Sequence, residues 1–202
     1  MENKDKLKIM LKDILPCIEG PYIIADGALL GIMREGDLLE FDNDVDIYIL
    51  PETKINWDKL PNKYKYNKDY MCYKIYNGED KIPTENEWLR FISYKRCCYE
   101  YLGFNRAELT SAISNDYKSE KIDRQYPNLW VDIIPLVHDN KHNLYRLPYH
   151  WNGTEFYFTP TECKGMYDNR LGFDIKIPKF PKQVLERIYG TNWIIEERDY
   201  QY

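Results

Sequence analysis

Apolar residues recur at helical spacing near the start of the chain: Leu7, Met10, Leu11, Ile14 and Leu15 fall on one face of residues 6–18. That spacing predicts an amphipathic opening helix, stopped by Gly20 and Pro21. The apolar run Tyr22-Ile23-Ile24-Ala25 predicts a short buried strand, Asp26-Gly27 a turn, and residues 28–33 a helix packed on that strand. Residues 45–50 read as a second strand ended by Pro51, and from about 63 to 77 Tyr and Lys alternate, as in one or two strands with an exposed face. Residues 88–102 fit helix or strand equally, and the charged stretch 116–125 reads as a solvated loop. Residues 129–136 and 154–158 are further strands. Pro181 opens a last helix that runs to Tyr189, with Gly190 as its stop.

No repeat, low-complexity tract or Gly/Ser linker interrupts this pattern, so residues 1–202 are expected to form a single domain. Its class is α/β (α+β), with helices packed on a mixed, largely antiparallel sheet. Apolar types make up 44% and charged types 30%, enough for an ordinary core. Against 28 Lys and Arg stand 33 Asp and Glu, a net charge of -5 that argues against a nucleic-acid partner. No apolar run approaches the roughly 18 residues of a membrane span, and the polar start MENKDKLKIMLKD lacks a signal-peptide core. A soluble, cytoplasmic protein is the expectation. The 19 Tyr against 7 Phe fit either an AT-rich coding sequence or a sugar-binding surface. The five cysteines (Cys17, Cys72, Cys97, Cys98 and Cys163) show no CxxC spacing and read as reduced thiols, mostly core fillers.

Chemistry concentrates in Gly27-Ala28-Leu-Leu-Gly31-Ile-Met-Arg34-Glu-Gly36 and the following Phe41-Asp-Asn-Asp44-Val-Asp46. Strand alternation puts Asp44 and Asp46 on one face and Val45 and Ile47 on the other. Two carboxylates this close repel, and stay jointly ionised only when a cation neutralises them. Hard oxygen ligands suit Mg²⁺. Upstream, a glycine turn leads into a helix whose free N–H groups suit a phosphate, and Arg34 offers a bidentate phosphate contact. A third carboxylate, Asp132, lies inside the apolar strand Trp130-Val-Asp-Ile-Ile-Pro-Leu136, where a lone charge is costly. If that strand neighbours residues 45–50, three carboxylates converge as in a nucleotidyltransferase-type metal site. A metal site beside a phosphate cradle suggests phosphoryl transfer.

These segments resemble the LicD/fukutin family of phosphotransferases. The family pattern is a Gly-Thr/Ser-Leu-Leu-Gly segment, an Arg, then Trp-Asp-x-Asp-x-Asp at the same spacing. The stretch Val131-Asp132-Ile133-Ile134-Pro135-Leu136 is similar to the family's later VDIFPL element, and Tyr189-Gly190 with Trp193 to its YG-x-x-W ending. Ala28 stands for the usual Thr or Ser and Phe41 for Trp, and residues 54–123 match nothing specifically. The resemblance implies a nucleotidyltransferase (DNA polymerase β-like) fold. It implies transfer of a phosphorylated alcohol, such as phosphocholine, ribitol phosphate or glycerol phosphate, from a CDP-linked donor to a glycan hydroxyl, with release of CMP. Carried over by position, Asp44, Asp46 and Asp132 would be catalytic and hold Mg²⁺ or Mn²⁺, Asp132 acting as ligand, base or both. Gly27, Ala28, Gly31 and Arg34 would meet the donor phosphates.

Two other readings stay open: a nucleotidyltransferase moving an NMP from an NTP to a small molecule or protein, and an inactive glycan- or nucleotide-binding module. His138 and His142 read as a solvated loop rather than a metal site, His150 as an ordinary packed histidine beside Trp151, and Arg90, Lys95 and Arg96 as surface residues.

Overall fold

The computed structural model describes residues 2–40, 42–68, 72–78, 129–148 and 155–195. Residues 88–102 and 116–125, Arg90, Lys95, Arg96, Cys97, Cys98, His150, Trp151 and the acidic tail 196–199 lie outside the described residues. Helix α1 (Asn3–Ile14) continues as a short 3-10 turn, Leu15–Cys17, so the opening apolar stripe is helical for its whole length. Then come β1 (Ile18–Glu19), β2 (Tyr22–Ile24), α2 (Asp26–Arg34) and β3 (Asp44–Ile49). Strands β4 (Lys54–Ile55), β5 (Tyr64–Lys68) and β6 (Tyr73–Asn77) follow, and β7 (Trp130–Pro135) returns to the sheet. After it lie β8 (Val137–Asp139), β9 (Leu144–Arg146), β10 (Tyr157–Phe158), α3 (Pro160–Cys163), β11 (Met166–Asp168), β12 (Ile175–Ile177) and α4 (Pro181–Tyr189).

The main sheet has five strands in the order β2-β3-β7-β6-β5. Only β3 and β7 run parallel, in register from Asp44 opposite Trp130 to Ile49 opposite Pro135; the other three pairings are antiparallel. This is the mixed α/β architecture that the alternation of strand and helix patterns predicts.

Register and two-residue alternation divide the sheet into unlike faces. Val45, Ile47, Val131, Ile133 and Ile75 share one face and are fully buried. Helix α1 packs there, with Leu7, Leu11 and Ile14 in the core and Asp13 accepting a 2.9 Å hydrogen bond from Tyr64 Oη. The opposite face carries Asp44, Asp46, Tyr48, Trp130, Asp132, Lys74 and Tyr76. At its Tyr48 end it is closed by Phe158, whose ring meets Tyr48 edge-on at 5.4 Å, and by α2, on which α4 packs. The buried Glu162 carboxylate ties this corner together: it accepts from Thr159 N in a capping box and from Arg187 at 3.0 Å.

Helix α2 folds back on itself through a close packing. Gly27, Gly31 and Arg34 are spaced i, i+4, i+7 and share one side, and Asp37, Leu39 and Asp42 lie against its two glycines. A Cβ on Gly31 would stand 2.7 Å from Asp37 O and 2.8 Å from Leu39 N, and one on Gly27 3.0 Å from Asp42 Oδ2.

The structure departs from the sequence expectations at five places. Asp26-Gly27 is no separate turn, because α2 begins at Asp26, whose φ of 45° makes the sharp bend itself. Of the strand expected over 154–158, residue 154 lies outside the described residues, and among 155–158 only Tyr157–Phe158 is strand, paired to β9. His138 lies in β8 rather than a loop, its ring bonded to Asn140 and Asn143, while His142 caps Asp139 in the following turn. The Tyr/Lys stretch exposes one side less than its alternation suggests, because Lys74 is 6% exposed. Cys17 and Cys163 are buried thiols as expected, but Cys72 is only half-buried and faces Asp132.

Replacing a helical glycine by alanine normally stabilises by about 1 kcal/mol. At Gly31 the added methyl meets backbone on both sides, which cannot give way as a side-chain tip can, and overpacking of this kind costs about 1–3 kcal/mol. Gly31→Ala is therefore expected to lower the urea midpoint at unchanged m-value; an equal or higher midpoint would mean that the 35–43 segment moves freely.

Candidate metal and phosphate site

The parallel pairing of β3 with β7 sets Asp46 directly opposite Asp132, and alternation adds Asp44 to the same face. One carboxylate oxygen from each of the three lies within 4.8 Å of the other two, and all three residues are partly exposed. A single coordination sphere with Mg²⁺–O distances of about 2.1 Å spans at most about 4.2 Å between ligands, so side-chain shifts of a few tenths of an ångström would bring the three oxygens onto one ion. The donor set is all carboxylate, the hard chemistry that Mg²⁺ or Mn²⁺ prefers. The residues present thus fit a divalent ion in chemistry and in spacing.

The carboxylates of this face raise one another's pKa on top of the effect of burial. Burial, then the neighbouring carboxylates of Asp26, Asp44 and Asp132, hold the Asp46 carboxyl well above the usual carboxylate range. Asp26 belongs to the cluster through the bend at the start of α2: Ala25 N donates to Asp46 O at 3.0 Å, and Tyr48 Oη donates to Asp26 Oδ2. A non-glycine residue at positive φ costs on the order of 1 kcal/mol, less for Asp, and the strain lies where strand passes to helix beside the carboxylates.

Asp132 is not the lone buried charge its apolar strand suggests. Lys74 Nζ donates to its Oδ2 at 2.8 Å and Trp130 Nε1 donates to the same oxygen at 3.2 Å. The ammonium also lies 4.3 Å from the centre of the Trp130 ring. On Oδ1, the Cys72 thiol makes a weak contact at 3.9 Å. Lys74, Trp130 and Asp26 were not legible as site residues. For Lys74 the signal existed only in the register, which places it opposite Asp132 across β6 and β7.

The phosphate-contact residues divide. Ala28 and Gly31 are buried, and Gly31 is packed against backbone, so their own atoms beyond the main chain face protein. The first turn of α2 presents N–H groups that have no acceptor within the helix. Arg34, at the far end of the same side, is paired with Glu35 at 2.9 Å, its side chain 13% exposed. Between Gly27 and Arg34 sits Asp42, whose Oδ2 is buried with no hydrogen-bond partner among the described residues. Burial, with Asp44 and Glu35 adding to it and Arg34 opposing, pushes the Asp42 carboxyl up to about 7.

A carboxyl whose pKa is higher folded than unfolded adds stability below the unfolded value and loses it as pH rises through the folded one. For Asp42 that window runs from 3.8 to about 7, and Asp46 acts in the same direction. Each unit of separation is worth about 1.4 kcal/mol. In EDTA, stability should therefore fall between about pH 4 and pH 7, and Asp42→Asn should recover on the order of 2–4 kcal/mol at pH 8. Urea midpoints across that range check this, and a flat profile for the parent chain would contradict it.

Among curated proteins none matches this chain. The family described as LicD/FKTN/FKRP, nucleotidyltransferase domain, matches residues 20–131, more than half of the sequence. The match takes in β2, the glycine side of α2, the Asp44–Asp46 strand and the start of the Asp132 strand, and it stops short of the Pro181–Tyr189 helix. This family is metal-dependent in general and carries out phosphotransferase-type modification of glycans. By fold, by site geometry and by this match, the chain belongs to the LicD/FKTN/FKRP nucleotidyltransferase family.

Proposed function

We propose that this protein, acting as one domain over residues 1–202, transfers a phosphorylated alcohol from a CDP-linked donor to a glycan hydroxyl and releases CMP. The observation that carries the reading is the convergence of Asp44, Asp46 and Asp132 within 4.8 Å, on a strand pair beside the start of α2, in a chain of this family. The acceptor oxygen forms a bond to the alcohol-bearing phosphorus as the bond from that phosphorus to the CMP oxygen breaks; the hydroxyl proton leaves to a base or to water. Phosphoryl transfer of this kind depends mainly on positioning and on neutralising the phosphate oxygens.

Each group has a part in that scheme. Asp44, Asp46 and Asp132 would hold a Mg²⁺ or Mn²⁺ ion, which would offset charge on the donor phosphates. The first-turn N–H groups of α2, at Gly27 and Ala28, receive phosphate oxygen, and Gly31 lets the 35–43 segment lie close beneath them. Arg34 exchanges Glu35 for a donor phosphate. Lys74 and Trp130 hold Asp132 by its Oδ2, which fixes the orientation of its carboxylate. No helix among the described residues is long and apolar enough to cross a membrane.

CMP release from a panel of CDP-alcohols, run beside pyrophosphate release from NTPs, tests the reaction. The expected outcome is CMP release with a glycan acceptor, lost by at least about a hundredfold in Asp46→Asn and Asp132→Asn while both variants fold cooperatively. Asp46→Asn should also melt higher than the parent chain in EDTA, since it removes like-charge repulsion. Pyrophosphate release alone would move the protein to the nucleotidyl-transfer reading, and near-normal turnover of either variant at saturating Mg²⁺ would sink the metal assignment.

Arg34 is tested by donor affinity. A guanidinium grips two phosphate oxygens where an ammonium offers one point charge, so Arg34→Ala should weaken CDP-alcohol binding by about 1.5–3 kcal/mol and Arg34→Lys should restore only part. Equal affinity in the alanine variant would leave Arg34 as the partner of Glu35 and nothing more.

A further inference from the structure

Asp26 differs from Asp44, Asp46 and Asp132 in being carried by α2 and not by the sheet. Among the described residues, the three whose carboxylate oxygens lie within 4.8 Å of one another do not include it. Yet of the charges that raise the Asp46 carboxyl, that of Asp26 acts most strongly, ahead of Asp44 and Asp132. Asp26 thus stands beside the carboxylate triad without joining it.

The fold keeps it there against two costs. Its φ of 45° is a bend that glycine makes without strain, and it brings a further negative charge to a face where like charges already repel. The start of α2 favours an acid, and Tyr48 Oη donates to Asp26 Oδ2. Asparagine would make the same bend and accept the same bond, so neither feature explains the charge. Tyr48 is 1% exposed, whereas Asp26 is partly exposed. The phenol therefore grips the carboxylate from inside the fold, and solvent reaches the residue from outside.

What this charge can receive follows from its sign. It repels phosphate oxygens, so the donor gains nothing from it. A neutral hydroxyl, in contrast, donates to a carboxylate in a charge-assisted bond roughly twice as strong as one between neutral groups. Gly27 and Ala28, whose N–H groups are assigned above to donor phosphate, follow Asp26 directly in α2. A hydroxyl held by Asp26 is thus brought beside the phosphorus it attacks.

We propose that Asp26 is the acceptor-binding residue, its carboxylate accepting the hydrogen bond of the attacking glycan hydroxyl, with Tyr48 as the positioning residue behind it. The inference rests on the phosphotransfer reading above and gives the acceptor a place in it.

The test separates acceptor from donor. CMP release by the full chain from CDP-choline, CDP-glycerol and CDP-ribitol is followed with Mg²⁺ against rising glycerol, methyl galactoside or methyl N-acetylglucosaminide, and donor affinity is measured by calorimetry. Asp26→Asn keeps an oxygen for Tyr48 but loses the charge, and should lower kcat/KM for the acceptor by about five- to tenfold. Asp26→Gly suits the bend and offers no side-chain oxygen, and should lower it by about ten- to a hundredfold. Both should bind the donor as tightly as the parent chain or tighter, since a repelling charge is gone. Unchanged kcat/KM for the acceptor in either folded variant would overturn the proposal, and so would weaker donor binding in both. Should Asp26→Gly not fold, Asp26→Asn decides by the same two readings. CMP release from the parent chain that no acceptor raises would overturn the proposal and leave donor cleavage standing. No CMP release with any donor would overturn it together with the phosphotransfer reading.

Discussion

Like charges held side by side are the constraint from which the rest of this structure follows. The parallel register of β3 on β7 fixes Asp46 opposite Asp132, and strand alternation brings Asp44 onto the same face. No rotamer change separates groups that the backbone ladder itself aligns. Burial first, and this repulsion after it, raise the Asp46 carboxyl and push Asp42 up to about 7. The fold offsets it with groups that are fixed: the Lys74 ammonium and the Trp130 indole on Asp132, and the Tyr48 hydroxyl on Asp26. The apolar face supplies the stability that tolerates this arrangement. Val45, Ile47, Val131, Ile133 and Ile75 are fully buried there, the first four each one residue removed from a carboxylate on the same strand.

The second organising contact is the seating of Asp37, Leu39 and Asp42 on the glycine side of α2. It explains the spacing of Gly27 and Gly31 without reference to any ligand. Gly31 is bare so that Asp37 and Leu39 backbone can pass, and Gly27 so that Asp42 can approach. That seating carries the chain from the end of α2 back to the start of β3, and so delivers Asp44 close to the first turn of the helix. A glycine pattern that reads from sequence as a phosphate cradle is therefore in large part the packing that puts carboxylates and helix start in one place.

Much of this was legible before any coordinates. The apolar stripe of α1, the strand at 45–50, the strand around Asp132 and the last helix were all readable, because each is a local pattern repeated several times over. The shared face of Asp44 and Asp46 needed only alternation. What sequence could not supply was register. Lys74 lies in a stretch where Tyr and Lys alternate, so it reads as one more solvated lysine until β6 is known to pair with β7 at Asp132. Asp26 was hidden for a different reason: Asp-Gly after a strand reads as a turn, and only its positive φ shows that the helix starts there. Strand β10 was overextended because Phe156, buried like its neighbour Phe158, continues the apolar pattern without making the ladder.

The two faces of the sheet thus place opposite demands on the same strands, and the demands are linked. Any substitution that loosens β3 against β7 on the apolar face alters the spacing of the carboxylates on the other, because one hydrogen-bond ladder sets both. Conversely, a cation bound between Asp44, Asp46 and Asp132 would ligate oxygens from both strands and resist their separation. Such a ligand binds the folded chain and not the unfolded one, so its binding free energy adds directly to the stability of the sheet. In that reading the mutual repulsion of the carboxylates is a consequence of preorganisation. The oxygens are already close, and an arriving ion has only charge to neutralise, with no backbone to rearrange.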